Sequence, residues 1–453
     1  MSEPSESQSD SHIRRLGLTP AIAIVVANMV GTGVFISAGY MVGSLDAQTS
    51  LLAWMIGGVL ALCGAAVYGE LGAMMPRVGG EYVYLKESLH PSVGFLSGWV
   101  SLIAGFSAPI AAASLAFGNY YAESVFPSVD GRWAAMGLIV AVTGLHMVHV
   151  TLGSTIQTGF TILKVLLISG FIIAGFTVGE GDFDHLSLAM DSATGSVVSE
   201  EFAVQLFWVA FAYSGWNAAA YIAGEMKDPG KNLPRALLIG TGIVVVLYLL
   251  LNLVFLYSAP PTELFAPAHG HREVGTSAAI ALFGPDAGKW LSSMIALALI
   301  STVSAMVMAG PRVYAAMAED GLFFRVLSTR HQKGGPMFSV VLQGAIAIAM
   351  VNLSSIRKLV EYIGFTLSIF AALTVVAAFV MRRRHPDAHR PYRTFGWPVT
   401  PILFLGLSIW MIVQGVRMRP EECGLYGGLT FVTGLALYLA WRRFAPAPDA
   451  REP

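Results

Sequence analysis

Apolar residues run through this chain in long blocks separated by short polar loops. The blocks fall at 18–43, 49–74, 94–122, 133–150, 155–178, 200–225, 234–258, 287–318, 337–353, 360–381, 398–417 and 424–442. A helix of roughly 20 apolar residues crosses a bilayer. The pattern therefore predicts an all-α membrane protein with about twelve transmembrane helices. Two blocks are interrupted at mid-depth. "VVANMVGTGVFISAG" (25–39) holds Gly31-Thr32-Gly33, and "LFWVAFAYSGWNAAAYIAGEM" (206–226) holds Ser214-Gly215, with Tyr213, Trp216 and Asn217 alongside. Glycine in a helix interior costs about 1 kcal/mol relative to alanine, so both stretches are poor helix centres.

Inside a bilayer, backbone can stay unpaired only where it lines a wet cavity or is buried in protein. Two interrupted helices in corresponding halves of a chain point to a carrier built from inverted repeats, with substrate held at the interruptions. The half-helix that follows the first interruption offers free N–H groups and a positive dipole end to an anion. Carbonyls released before Ser214 face a cation. An anionic group and an ammonium close together describe the head of an amino acid. Glycines also let membrane helices pack closely, and for one isolated Gly-Thr-Gly that explanation competes. Two interruptions with polar and aromatic company at matching places favour the cavity.

Composition agrees with the pattern. Hydrophobic residues make up 55% of the 453 and charged residues only 12%, against about 25% charged in soluble domains. The net charge of -1 says little, but its distribution does more. Basic residues gather in alternate loops: Arg14 and Arg15; Arg77 and Lys86; Lys227, Lys231 and Arg235; Arg325, Arg330 and Lys333; Arg382 to Arg384, Arg390 and Arg393; Arg442 and Arg443. The positive-inside rule then puts these loops and both termini in the cytoplasm. Arg357, Lys358, Arg417 and Arg419 run against that assignment. Residues 1–15 read as a disordered cytoplasmic tail, and 445–453 as a cytoplasmic C-terminal tail.

Cys63 and Cys423 are the two cysteines, too few for a disulfide framework or a metal-ligand cluster. His146 and His149 stand three apart without a third ligand, so no metal is expected. No phosphate loop, nucleotide motif or nucleophile–base arrangement occurs, which leaves no cofactor, no nucleic-acid partner and no enzymatic chemistry to assign. An ion channel stays open as another class, separable by saturable countertransport. "MPRVGGEYVYLKESLHPS" (75–92), with Tyr82 and Tyr84, reads as an amphipathic segment lying at the membrane interface. Glu70 and Glu225, near helix ends, are expected to pair with basic neighbours and hold a closed gate, or to serve as plain interfacial residues. Lys164 sits about nine residues inside the fifth block, some ~14 Å down a helix. With a hydrocarbon half-thickness of ~15 Å, an ionisable residue at that depth is a functional candidate.

Six segments together carry a family likeness: "GTGVFISAG", "GELGAMMPRVGGEYVYL", "FAYSGWN", "GEMKDPGKNLPRAL", "GPRVYAAMAEDGLFF" and "RPYRTFGWP". The ordered set, from residue 16 to about 440, resembles the amino acid–polyamine–organocation (APC) superfamily, and within it the L-type amino acid transporter branch. The resemblance implies a LeuT-like 5+5 inverted repeat with discontinuous helices 1 and 6. The first repeat would occupy 16–180, the second 198–383, and two added spans 384–444. It implies alternating-access transport of amino acids, and it carries roles onto matching residues. Beside Gly31, also assigned to the substrate site, Thr32 and Gly33 would present N–H groups, and Thr32 its hydroxyl, to the substrate carboxylate. Met29, Phe211 and Ser214 would receive the α-ammonium on their carbonyls, with Phe211 also closing over the substrate. Tyr213, Trp216 and Asn217 would complete the pocket. Many relatives have glycine where Ser214 stands, so the pocket is narrowed against the largest aromatic substrates.

The same resemblance puts the Lys164 ammonium where sodium-coupled relatives hold a cation between spans 1 and 8, with Ser301 and Ser304 as partners. A fixed ammonium removes the need for sodium. It acts either as a permanent charge in an exchanger or as a proton carrier in a symporter. No acid stands at the pocket positions of spans 1, 3, 6, 8 or 10. An unpaired cationic side chain is costly to bury, so neutral L-amino acids are expected, with a cationic amino acid or polyamine exchanger as the rival. The loop "YYAESVFPSVDGRW" has no cysteine, so no disulfide-linked ancillary subunit of the kind found in the eukaryotic branch is expected. The resemblance then implies a prokaryotic location, a cell inner (plasma) membrane, with an amino acid and the lipid bilayer as partners.

Overall fold

A computed structural model describes residues 16–42, 44–124, 128–148, 150–186, 199–264, 274–329 and 336–444. The two tails and His149 lie outside these residues. The described chain is helical, with one isolated backbone bridge, Leu16 to Met226, and no strand. Nine helices among the described residues are long and apolar enough to cross a membrane. In chain order the helices that matter are α1 (Leu18–Met29), α2 (Thr32–Val42), α3 (Ala47–Met74), α4 (Glu81–Ser88), α5 (Pro91–Val100), α6 (Ala108–Ser124), α7 (Gly131–Val148) and α8 (Val150–Thr177). They continue as α9 (Glu200–Tyr213), α10 (Pro229–Ser258), α11 (Val274–Phe283), α12 (Pro285–Glu319), α13 (Met337–Leu353), α14 (Ile356–Arg384), α15 (Val399–Met418) and α16 (Gly427–Phe444). A helix stands at each block expected to span, with α1 and α2 sharing the first. The three blocks outside the nine are filled by α7, by α9 with its following turn, and by α13.

Both interruptions are present. The first block stops being helical at Val30-Gly31 and resumes at Thr32, so Gly33 lies in the first turn of α2 and not in the gap. The sixth ends its α-helix at Tyr213, turns through Ser214 to Asn217, and continues as a 3-10 segment over Ala218–Glu225. The two gaps touch. A Cβ at Gly33 would run into the Cα of Ala212, and one at Gly215, whose φ is +96°, would meet the Asn28 carbonyl carbon at 2.8 Å. Only residues without side chains allow backbones this close. The second half of the first block is also tied to α9 by Ser37, whose hydroxyl donates to the Trp208 carbonyl at 2.7 Å.

Long apolar helices bury their sides against one another around this pair. α10 packs along α1 and α3, and α12 along α6. Trp54, Tyr213 and Tyr248 form an aromatic triangle with ring centroids 5.3–5.7 Å apart, an arrangement that adds about 0.5–1.5 kcal/mol per pair beyond burial. Two backbone hydrogen bonds, Leu16 N–H to the Glu225 carbonyl (3.1 Å) and Lys227 N–H to the Leu16 carbonyl (2.8 Å), pin the lead into α1 to the end of the 3-10 segment.

One expectation needs correcting. Tyr82 and Tyr84 do not present their rings outward as residues of an interfacial segment would. Gly79 and Gly80, at φ +121° and +54°, fold α4 inward, so both tyrosines are fully buried. The Tyr82 hydroxyl donates to Asp320 at 2.7 Å, and Lys86 adds an ion pair to the same carboxylate. The aromatic residues serve protein packing, which the sequence pattern alone does not separate from an interfacial belt.

Candidate functional site

A cavity of about 100 Å³ opens beside the second interruption. Tyr213, Ser214, Gly215, Trp216 and Asn217 line it, facing Asn28 from the end of α1 and Glu81 from the start of α4. Each side chain has a local reason for its place. The Tyr213 hydroxyl donates to the Trp54 carbonyl at 3.2 Å, which locks its ring in the aromatic triangle. Trp216 sits edge-on to Tyr68, centroids 4.6 Å apart, over Gly64, where an added Cβ would meet its ring at 2.7 Å. Asn217 donates its amide to the Glu81 carboxylate at 3.0 Å and contacts the Tyr221 hydroxyl at 3.2 Å.

A second cavity, about 30 Å³, lies behind the first interruption and is lined by Val30, Gly31, Phe35 and Lys164. Lys164 is 2% exposed. Its ammonium donates to the Val30 carbonyl at 2.6 Å and to the Ala27 carbonyl at 3.2 Å. Both acceptors belong to the last turn of α1 and the gap after it, where helical pairing has stopped and carbonyls are left over. The lysine thus supplies a donor and a positive charge at the negative end of a half-helix.

The remaining expected residues are scattered around these two spaces. The Met29 carbonyl accepts the Tyr248 hydroxyl at 2.6 Å. The Phe211 carbonyl accepts the Ser214 N–H at 3.0 Å, and the Phe211 ring is buried without lining either cavity. Thr32 opens α2, but its side chain lies outside the described residues. Ser301 and Ser304 do not hydrogen-bond to Lys164. Ser304 pairs with His146 at 2.8 Å, and the Ser301 hydroxyl is buried without a partner among the described residues. His146 is thereby engaged with a hydroxyl, and no group of three metal-ligating side chains occurs among the described residues.

Glu70 and Glu225 both have the basic neighbours expected of them. Glu225 meets Arg312 at 3.3 Å. Glu70 is clasped by Arg382 through Nε (2.8 Å) and Nη2 (2.6 Å) and by the Thr394 N–H and hydroxyl (2.6 and 2.7 Å).

Glu81 is the residue that sequence reasoning missed. The expectation of an acid-free pocket considered the spanning segments, and α4 brings its carboxylate in from a loop. The carboxylate is 6% exposed and accepts from the Tyr68 hydroxyl and the Asn217 amide, with no ion-pair partner among the described residues. Burial pushes its carboxyl up to about 7, against the smaller opposing effect of those two donors. The signal available in sequence was an acid directly after two glycines that can turn a chain back on itself. The premise for expecting neutral substrates is therefore gone.

Two helix gaps with touching flanks, each beside a cavity inside a bundle of apolar helices, define a membrane carrier. Residues 16–420 match the amino acid permease family, and the chain belongs to it, within the amino acid–polyamine–organocation superfamily. The chain is 31% identical over 436 residues to the serine/threonine exchanger SteT of Bacillus subtilis (strain 168), covering 95% of this chain and 97% of that one. It is 28% identical to the b(0,+)-type amino acid transporter 1 of Mus musculus, covering 96% and 89%. It is likewise 28% identical to the large neutral amino acids transporter small subunit 2 of Homo sapiens, covering 94% and 80%. A permease family and relatives named as carriers set aside the enzyme class.

Proposed function

We propose that this protein exchanges neutral L-amino acids across the plasma membrane by alternating access, without sodium. The observation that carries the reading is Lys164, whose ammonium already occupies the carbonyls of Ala27 and Val30 at the first gap. A cation held there covalently leaves no task for a dissolved one. Exchange is supported by the name of the bacterial relative, a serine/threonine exchanger, and neutral substrates by that name together with the name of the human large neutral amino acids transporter, now that an acid-free pocket no longer argues for them.

In this reading the substrate carboxylate docks on the N–H groups of Gly31, Thr32 and Gly33. Its ammonium meets the carbonyls of Met29, Phe211 and Ser214, each of which has a second lone pair to offer. Tyr213, Ser214, Trp216 and Asn217 shape the side-chain space. Residues 16–180 and 198–383 act as two inverted repeats of a LeuT-like fold, with 384–444 added and both termini cytoplasmic. Both cysteines, Cys63 and Cys423, are buried and the loop after the third span carries none, which supports transport without a disulfide-linked subunit.

Counterflow into proteoliposomes with a panel of twenty amino acids, in sodium and in choline buffers, tests the proposal. Equal rates in the two buffers are expected, with serine, threonine or other small neutral substrates competing best. Strong sodium dependence would sink it. The rival, a cationic amino acid or polyamine exchanger, is favoured by one observation, the Glu81 carboxylate on the cavity wall. It wins if arginine or putrescine outcompetes every neutral substrate.

A further inference from the structure

We propose that Glu81 is a proton-binding site of the transport cycle, protonated when the cavity is sealed and ionised when it opens to water. The inference rests on the carrier reading above and names the coupling ion that this reading leaves open.

The geometry is that of a charge without a counter-charge. Glu81 lies at the start of α4, faces the cavity, and meets only neutral donors, the Tyr68 hydroxyl and the Asn217 amide. The other titratable groups around it are also neutral: Tyr84 on its own helix, edge-on to Tyr68 at 6.0 Å, and Tyr221, which the Asn217 amide contacts. Tyr314 reaches the same region from α12, its hydroxyl held by Gln343. The cations nearest along the chain are committed elsewhere. Lys86 and Arg77 pair with Asp320 and Glu87, Arg384 donates to the Ser88 carbonyl, and Arg382 clasps Glu70. Lys164 is bound to α1 beside the other cavity.

A carboxylate buried beside neutral donors alone is costly once water leaves, and a proton is the smallest ligand that removes the cost. Opening the cavity restores hydration and releases it. The proton moves between a carboxylate oxygen of Glu81 and cavity water, so charge and atoms balance without a further reactant. The same carboxylate holds Asn217, the last residue of the gap. Protonation therefore weakens a charge-assisted bond to the segment that must move.

Exchange of radiolabelled L-threonine is measured in proteoliposomes at equal inside and outside pH, together with infrared titration of the purified protein. The wild type is expected to lose rate as pH rises, by about tenfold per unit above its midpoint. Glu81→Gln, which mimics the protonated acid, should exchange at the acid-limit rate at every pH. Tyr68→Phe removes a donor from the ionised form and should raise the midpoint by roughly one unit. In the infrared, a protonated carboxyl band that titrates near neutral pH should vanish in Glu81→Gln. A band or a rate profile unchanged by that substitution overturns the proposal. So does a carboxylate that stays ionised to about pH 5 and binds L-arginine instead. Failure of the wild type to exchange any amino acid would sink the carrier reading, while the infrared titration would still decide the role of Glu81.

Discussion

Replacing Lys164 by alanine strips the donor from two buried carbonyls, those of Ala27 and Val30. Each orphaned acceptor costs about 1–3 kcal/mol. The adjoining cavity of about 30 Å³ has room for a water that recovers part of this loss. Removing the buried ammonium also returns its own desolvation cost, which offsets the effect on overall stability. What remains falls on the conformation with the gap in place, by roughly 2–4 kcal/mol, or about 30- to 700-fold at 1.4 kcal/mol per decade. The two carbonyls are not those assigned to the substrate. Exchange should therefore fall by that factor, while equilibrium affinity in detergent changes less than about tenfold. Lys164→Met keeps the apolar stem of the side chain without its ammonium and should show the same defect, separating charge from packing. Counterflow rates set beside calorimetric affinities make the measurement. A Lys164→Ala protein that exchanges at the wild-type rate, or one whose affinity falls as far as its rate, refutes the reasoning.

Glu70→Ala leaves Arg382 and Arg390 without their shared buried carboxylate, and breaking such a cluster costs about 3–5 kcal/mol. A drop of several degrees in the apparent melting midpoint in detergent is expected, and an unchanged midpoint would refute it. Gly33→Ala drives a methyl into the Ala212 backbone, an overpacking of roughly 1–3 kcal/mol, and should cut exchange at least tenfold. Gly137→Ala, with nothing within 4 Å of the added carbon, should leave exchange unchanged. The Glu81 carboxyl holds its proton up to about 7 in the fold, against an ordinary value of 4.5. The folded chain thus binds more protons than the unfolded chain between those values, and stability falls as pH rises through that window by about 3 kcal/mol in full. Melting curves from pH 5 to 8 should show the decline in the wild type and a shallower one in Glu81→Gln.

Much of this architecture is legible in sequence because a bilayer admits so few solutions. Blocks of about 20 apolar residues mark helices, and Gly31 and Ser214-Gly215 mark the places where two of them stop. Lys164 betrays itself by depth alone. What stays hidden depends on how the chain folds back. Glu81 and Tyr82 sit in a polar-looking loop, and nothing in local periodicity says that α4 turns inward at Gly79-Gly80. The partners of Ser304 are equally invisible, because His146 comes from a helix 158 positions away in sequence. The first gap takes in Val30 and leaves out Thr32 and Gly33, since Thr32 can open a helix as readily as interrupt one.

Where Gly33 abuts Ala212 and Gly215 abuts Asn28, backbone meets backbone with no side chain to yield between them. The segments flanking the two gaps are therefore expected to move as one joint, so that bending either displaces the other. Half-bent species would have to pull those surfaces apart and should be sparsely visited. Spectroscopic labels on α1 and on the 3-10 segment should report a single relaxation, with the same time constant at both places.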